Sequence, residues 1–161
     1  MSRRPAAATP AFAVLDAAAV QYTAHSYEHD PRADSYGLEA AEALDVDPAR
    51  VFKTLLVDLG ETLAVGVVPV TGRLDLKGVA RALGAKKAQL ADPAVAERAT
   101  GYVVGGISPL GQRRRLPTVV DASASDWETI LVSAGRRGLE VELSPVDLVR
   151  LTAATLSPVA G

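Results

Sequence analysis

The segment Val51–Leu59, VFKTLLVDL, constrains the fold more than any other because it is apolar on both faces of a predicted strand. Strand side chains alternate with period two, so each face carries large apolar residues, with Lys53 on one face and Thr54 on the other. A strand of this kind is covered by other elements on both sides. Gly60-Glu61 can then close a hairpin to a partner strand, Leu63–Val70.

Turn and capping residues divide the rest of the chain into short elements. The predicted helices are Ala11–Ala19, Gly37–Leu44 capped by Ser35, one turn after Asp47-Pro48, and helices that begin at Asp75, Asp92 and Ser144 and end near Leu83, Ala99 and Thr152. The further predicted strands are Tyr22–Glu28, Thr118–Asp121, Thr129–Ser133 and Leu139–Leu143. Hairpins mixed with helices are typical of the α+β class with a mixed sheet.

Composition narrows the possible functions. A chain of 161 residues fits one domain. Cysteine is absent, which excludes disulfides, thiolate metal sites and a cysteine nucleophile. The net charge is −2, so a nucleic-acid partner would have to be held by a local basic patch. No apolar run approaches the ~20 residues of a membrane helix. We therefore expect a cytoplasmic protein without a membrane partner, with a flexible N-terminus at residues 1–10 and one domain at residues 11–161.

Thr100–Pro117, TGYVVGGISPLGQRRRLP, is rich in glycine and carries three consecutive arginines. Glycine lets the backbone approach a ligand closely, and N–H groups left free in such a turn can bind an oxyanion or a phosphate. The arginines could hold the rest of an anionic substrate. The alternative is a glycine-rich turn followed by a solvated basic edge, and the local pattern does not choose between the two.

Lys53 lies on an apolar strand face, where burying an unpaired ammonium group costs on the order of several kcal/mol. Either its stem packs while its amine reaches water, or it is a cation lining a pocket for an ester carbonyl, a carboxylate or a phosphate. Ser108 has no evident base, and the pair His25 and His29 lacks further metal ligands, so we expect neither metal nor cofactor. A cation and an N–H cradle without a nucleophile suit a site in which the substrate or water attacks.

Five segments closely resemble the YbaK family of Cys-tRNA(Pro) deacylases, which is related to the editing domain inserted in bacterial prolyl-tRNA synthetases. They are YEHD (Tyr27–Asp30), VFKTLLV (Val51–Val57), PVTGRLDLKGVARALGAKKAQLADP (Pro69–Pro93), TGYVVGGISPLGQRRRLPTVVD (Thr100–Asp121) and VSAGRRGLEVEL (Val132–Leu143). The resemblance implies a curved mixed sheet flanked by helices. It also implies a free-standing trans-editing enzyme whose partner is mischarged tRNA(Pro), with prolyl-tRNA synthetase as a second candidate partner.

The resemblance also implies the site residues. The family's lysine falls on Lys53, and its glycine pair falls on Gly105 and Gly106, whose backbone would face the aminoacyl carbonyl. The predicted substrate-binding residues are Tyr27, Tyr36, Thr54, Ser108, Ser133 and Glu140, and the predicted tRNA-binding residues are Arg113, Arg114, Arg115, Lys86 and Lys87. The chain departs from the family's pattern at two places. Glu140 stands where some members have Asp, and Ala134-Gly135-Arg136 stands where the family often has Gly-Gly-Lys.

In the resembling enzymes, the thiol of the mischarged cysteine attacks its own ester carbonyl and forms a thiolactone, which releases the tRNA. The protein then positions the substrate and stabilises the oxyanion. Two alternatives stay open. One is an Ala-tRNA(Pro) deacylase that uses water, and the other is a non-catalytic module that binds tRNA or a nucleotide.

Overall fold

The computed structural model describes residues 9–33 and 35–161, which form an α+β domain, as predicted. The helices in these residues are α1 (Pro10–Ala17), α2 (Tyr36–Ala43), α3 (Leu76–Ala82), α4 (Pro93–Thr100) and α5 (Pro145–Thr152), with 3₁₀ turns at Pro48–Arg50 and Ala122–Asp126. The strands are β1 (Tyr22–Ser26), β2 (Phe52–Asp58), β3 (Leu63–Pro69), β4 (Gln89–Leu90), β5 (Thr118–Asp121), β6 (Ile130–Arg136), β7 (Leu139–Leu143) and β8 (Thr155–Ser157).

The strands form two sheets that meet at one residue pair. The first sheet is antiparallel and has the order β1-β7-β6. The second has the order β4-β2-β3-β5-β8 and is mixed, because β5 runs parallel to β3 and to β8. A parallel bridge between Val51 and Leu131 connects them. The mixed sheet expected from the sequence is the second one, and the first continues it across this bridge.

Side-chain caps fix where the helices begin. Asp75 and Ser144 accept hydrogen bonds from the backbone N–H groups of Gly78 and Val146, as their sequence positions predict. At α1 the cap is Thr9, whose hydroxyl also donates to the Ala134 carbonyl at 2.6 Å. Thr9 and Pro10, which the sequence assigned to the N-terminal segment, are therefore part of the folded domain. Residues 1–8 of the predicted N-terminal segment lie outside the described residues.

β2 is covered on both faces, as its sequence predicts. Phe52 and Leu56 lie in the main core, which also contains residues of α1, α4, β6 and β7. Val57 points the other way and lies in a second cluster with Val79 of α3. Each fully buried side chain of this size contributes about 1.5–3 kcal/mol to folding. Burial on two sides therefore holds β2 in one position.

The structure adds two strands that the sequence patterns do not predict, β4 and β8. β4 matters for the site because it pairs with β2 only at Val57 and Asp58. The opposite edge of β2 is fully occupied by β3, from Phe52 to Asp58. On the edge of β2 that faces β4, the first half of the strand therefore has no pairing with β4.

Candidate functional site

A cavity of about 360 Å³ lies along this uncovered part of β2. Its walls come from β2, from the start of α2, from the β4–α4 region, from the glycine-rich loop after α4, and from β6 and β7. The predicted site residues among its lining are Tyr27, Tyr36, Lys53, Thr54, Gly105, Ser133 and Glu140. Segments far apart in sequence thus meet at one concave surface, which we call the β2-edge cavity.

Lys53 and Thr54 are adjacent in sequence, so their side chains leave β2 on opposite faces. Both line the cavity, which therefore wraps around the edge of the strand. Burial lowers the pKa of the Lys53 ammonium, and the positive charge of Arg73 lowers it further. No carboxylate among residues 9–33 and 35–161 forms an ion pair with Lys53. The cavity therefore has a partly desolvated cation without a protein partner.

Glu140 is the acidic residue of the cavity. Its side chain is only 6% exposed, and burial raises the pKa of its carboxyl group to about 8. The pKa of the neighbouring Tyr27 hydroxyl is raised to about 12, first by burial and then by the Glu140 charge. No described side chain donates a hydrogen bond to the Glu140 carboxyl group. Glu140 is therefore a buried acid that is free to accept a donor from a ligand.

Two buried hydroxyl groups of the cavity also lack partners. Thr54 Oγ1 and Ser133 Oγ are shielded from solvent and form no hydrogen bond with the described residues. A buried hydroxyl without a partner costs about 1–3 kcal/mol, so such groups are uncommon in a core that serves stability alone. Their place in the cavity lining makes both of them candidates for hydrogen bonds to a ligand.

Gly105 brings the glycine-rich loop against the cavity. Its φ of 93° is left-handed, and a Cβ atom there would lie 2.5 Å from Arg137 Nε and 2.8 Å from the Tyr36 ring. Arg137 lies over that ring at 4.6 Å and donates two hydrogen bonds to the Val104 carbonyl. The loop, Tyr36 and Arg137 are thus packed too closely for a larger residue at position 105.

The structure corrects two of the predicted site residues. The Gly106 N–H donates to the Val103 carbonyl at 2.9 Å, so it is used within the loop and is not free for an oxyanion. Ser108 is 0% exposed, and its hydroxyl accepts from the Leu110 N–H, which closes a turn. Neither residue belongs to the cavity lining. Of the glycine pair, Gly105 alone lines the cavity, and its N–H has no acceptor among the described residues, while Ser108 is a buried loop residue.

The predicted tRNA-binding residues lie outside the cavity. Arg113, Arg114 and Arg115 are exposed, and the last two line a separate cavity of about 200 Å³ next to α5. Lys86 and Lys87 are exposed in the turn after α3. These side chains do not line the space that Lys53 and Glu140 line, so a polynucleotide bound by them would contact the protein outside the β2-edge cavity.

Sequence reasoning missed Arg137 as part of the site. The residue does not line the cavity but holds two groups that do, Tyr36 and Val104. It follows a register irregularity of β6 between Ser133 and Arg136. An isolated glycine in a strand, here Gly135, is the signal for such a bulge, and bulges re-aim neighbouring side chains.

Both histidines are paired with carboxylates. His25 Nε2 lies 2.8 Å from Glu142 Oε1, and His29 Nδ1 lies 2.8 Å from Glu39 Oε1. In the part of the chain that the structure describes, no three His, Asp or Glu side chains are grouped so that they could hold a metal ion. Among the same residues, every helix is too short or too polar to cross a bilayer.

Comparison with known proteins agrees with the fold and the sequence resemblance. The family model of the aminoacyl-tRNA editing domain matches residues 30–151 of this chain. The protein EbsC of Enterococcus faecalis, which has the provisional name Cys-tRNA(Pro)/Cys-tRNA(Cys) deacylase, is 40% identical over 113 residues, or 70% of this chain and 69% of EbsC.

Two crystal structures share the fold over nearly their full length. The hypothetical protein APE2540 is 25% identical with a TM-score of 0.84, covering 95% of this chain and 100% of that one. A candidate trans-editing enzyme for prolyl-tRNA synthetase is 21% identical with a TM-score of 0.83, covering 97% of this chain and 99% of that one. The family match and the EbsC similarity cover most of the domain that carries the β2-edge cavity, and the chain therefore belongs to the aminoacyl-tRNA editing domain family.

Proposed function

We propose that this protein is a trans-editing deacylase that clears Cys-tRNA(Pro), with the aminoacylated 3′ end of the tRNA bound in the β2-edge cavity. Family membership and the name of the similar protein EbsC support the reaction class. The proposal includes a cytoplasmic location, where charged tRNA is found, and prolyl-tRNA synthetase as a second partner.

One observation carries the proposal: the cavity holds a cation and an acid that do not pair with each other. Lys53 and Glu140 both line it, and they form no ion pair. An aminoacyl ester of a tRNA carries a cationic α-ammonium group at one end and phosphates at the other. Glu140 suits the ammonium, whose positive charge favours the ionised form of the carboxyl group, and Lys53 suits the phosphate or ribose end, so the two residues match a substrate of that polarity.

The cavity also lacks an activated nucleophile among its described side chains. Ser133 Oγ has no hydrogen-bond partner, so no base is placed to take its proton. Ser108 is outside the lining. Attack therefore has to come from the substrate or from water, which is the arrangement that a thiol-bearing aminoacyl group can use.

In the proposed step, the cysteine sulfur forms a bond to its own ester carbonyl carbon, and the bond from that carbon to the ribose oxygen breaks. The thiol proton is transferred to the ribose oxygen, so the products are a β-thiolactone and tRNA with a free terminal hydroxyl. The protein contributes orientation through Thr54, Ser133 and Glu140, and the Gly105 N–H stabilises the oxyanion.

The test compares tRNA(Pro) charged with cysteine, alanine or serine, with a nucleophilic trap for the thiolactone. Attack by the substrate thiol predicts that only the cysteine ester is lost and that the trapped product contains the thiolactone carbonyl. Loss of the alanine ester would support the water-dependent deacylase instead. Binding of charged tRNA without loss of any ester would support the non-catalytic module.

A further inference from the structure

Arg137 and Gly105 act on the two ends of one peptide group. Arg137 Nε and Nη2 donate to the Val104 carbonyl at 3.1 and 2.7 Å. That carbonyl belongs to the same peptide unit as the Gly105 N–H. Two N–H groups of one guanidinium that converge on a single carbonyl oxygen fix the direction of that carbonyl more tightly than one hydrogen bond does.

The peptide unit is planar and trans, so its C=O and N–H point in opposite directions. With the carbonyl held by Arg137, the Gly105 N–H is turned away from the guanidinium. Gly105 lines the cavity and Arg137 does not. Within residues 9–33 and 35–161, the Gly105 N–H donates to no acceptor. An N–H group fixed in direction, unpaired and at the cavity wall is the arrangement that an oxyanion donor requires.

We infer that Arg137 is a positioning residue that aims the Gly105 N–H at the oxyanion of the reacting ester. The inference rests on the proposed deacylase function and adds a residue to it. A positive group hydrogen-bonded to the carbonyl also polarises the peptide, which makes its N–H a stronger donor. Stacking on Tyr36 holds the guanidinium in place, and the missing side chain at Gly105 leaves room for it.

Arg137 is exposed, so a second role has to be separated experimentally: binding an RNA phosphate. The two roles affect different constants. Loss of a phosphate contact raises KM and reduces its salt dependence, while kcat is unchanged. Loss of N–H positioning lowers kcat with little change in KM, because the contact strengthens only as the oxyanion develops.

The experiment measures kcat and KM for Cys-tRNA(Pro) with Arg137→Lys and Arg137→Ala, and uses the adjacent exposed Arg136→Ala as the matched charge control. Complete loss of an oxyanion donor lowers kcat roughly 10²- to 10³-fold. We expect Arg137→Ala to lower kcat at least tenfold, Arg137→Lys to recover part of that loss, and Arg136→Ala to leave kcat unchanged. A rise in KM with constant kcat for Arg137→Ala would overturn the inference.

A second readout does not depend on turnover. In ¹H–¹⁵N spectra of the free protein, Arg137→Ala is expected to shift the Gly105 amide resonance, while Arg136→Ala leaves it in place. If the wild type has no deacylase activity but the Gly105 shift occurs, the proposed function fails and the positioning contact stands. If the Gly105 amide is the same in Arg137→Ala and the wild type, the positioning role fails whatever the activity.

Discussion

Ser133 and Glu140 are directly opposed across β6 and β7, and both line the β2-edge cavity. Opposed residues of an antiparallel pair project on the same face, at Cβ separations of roughly 4.5–5.5 Å. The Ser133 hydroxyl nevertheless has no hydrogen-bond partner. An acid and a hydroxyl group that lie side by side without a hydrogen bond leave room for a ligand group between or above them. In the proposed function, this pair contacts the amino acid end of the substrate.

The first prediction concerns the buried acid. In the folded protein the carboxyl group of Glu140 has a pKa of about 8, whereas the ordinary pKa of a Glu side chain is 4.5. Between these values the folded state binds more protons than the unfolded state, so this group lowers stability as pH rises through that window. We expect Glu140→Gln to be more stable than the wild type above the folded pKa, by on the order of a few kcal/mol at most, and the difference to shrink toward acidic pH.

Urea unfolding of wild type and Glu140→Gln at about pH 5 and about pH 9 measures this difference. Glu28→Gln, at an exposed position, is the control and should follow the wild type at both values. If the difference in the free energy of unfolding between Glu140→Gln and the wild type were the same at both pH values, the pKa of Glu140 would not change on folding, and the prediction would be wrong.

The second prediction compares two threonines, Thr54 and Thr118, whose hydroxyl groups are buried. Thr54 Oγ1 has no partner, whereas Thr118 Oγ1 donates to the Leu116 carbonyl at 3.0 Å. Thr54→Val removes an unsatisfied hydroxyl and should raise the free energy of unfolding by about 1 kcal/mol, while Thr118→Val should lower it by about the same amount. Deacylation should fall for Thr54→Val only. If urea denaturation showed that both substitutions lower the free energy of unfolding by the same amount, Thr54 would be an ordinary structural threonine.

The sequence predicted the fold well where physical signals are local. The two apolar faces of Val51–Leu59 predicted a strand covered on both sides, and capping residues such as Asp75 predicted the helix starts. It did not predict β4 and β8, which have two and three residues and are too short to show a period. Such strands form because a neighbouring strand offers an edge, which is a tertiary property.

The site was predicted less completely for a related reason. Lys53 was detectable because a charge on an apolar strand face is locally unusual. Gly106 could not be separated from Gly105 by sequence, since the difference is which N–H the loop uses internally. Arg137 stood in a basic turn like many solvated arginines, and only its contacts with Val104 and Tyr36 distinguish it.

The third prediction tests Lys53. Lys53→Met keeps an apolar stem and removes the ammonium, which is partly desolvated and repelled by Arg73. We expect deacylation of Cys-tRNA(Pro) to fall roughly 10²- to 10³-fold, as for other losses of charge stabilisation, with an equal or higher Tm. Lys77→Ala, at an exposed position on α3, should change neither. Single-turnover rates near wild type for Lys53→Met would remove Lys53 from the reaction.

The fourth prediction separates backbone strain from close packing at glycine. Gly105 and Gly84 both have left-handed φ, 93° and 70°, but a Cβ at Gly84 would meet nothing within 4 Å. Gly84→Ala should therefore cost only the strain, roughly 1–2 kcal/mol. Gly105→Ala should cost more, because the methyl group displaces Arg137 or Tyr36, and it should also reduce kcat. If Gly84→Ala and Gly105→Ala lowered the free energy of unfolding equally and both kept the wild-type kcat, the result would contradict the close packing seen at Gly105.

The fifth prediction concerns the exposed arginines as a tRNA contact. Arg113, Arg114 and Arg115 form no ion pair with described carboxylates, so their charges are available to phosphates. Replacing all three by Ala should weaken tRNA binding and reduce the slope of log K against log salt by roughly 2–3 for duplex contacts. Because these residues lie outside the cavity, the rate at saturating Cys-tRNA(Pro) should stay close to wild type.

The double variant Lys86→Ala/Lys87→Ala, measured in the same salt series, shows whether the acceptor stem also reaches the turn after α3. An unchanged salt slope in the triple variant would place the tRNA body elsewhere, while a fall in the saturating rate would mean that the arginines act on the reacting end instead.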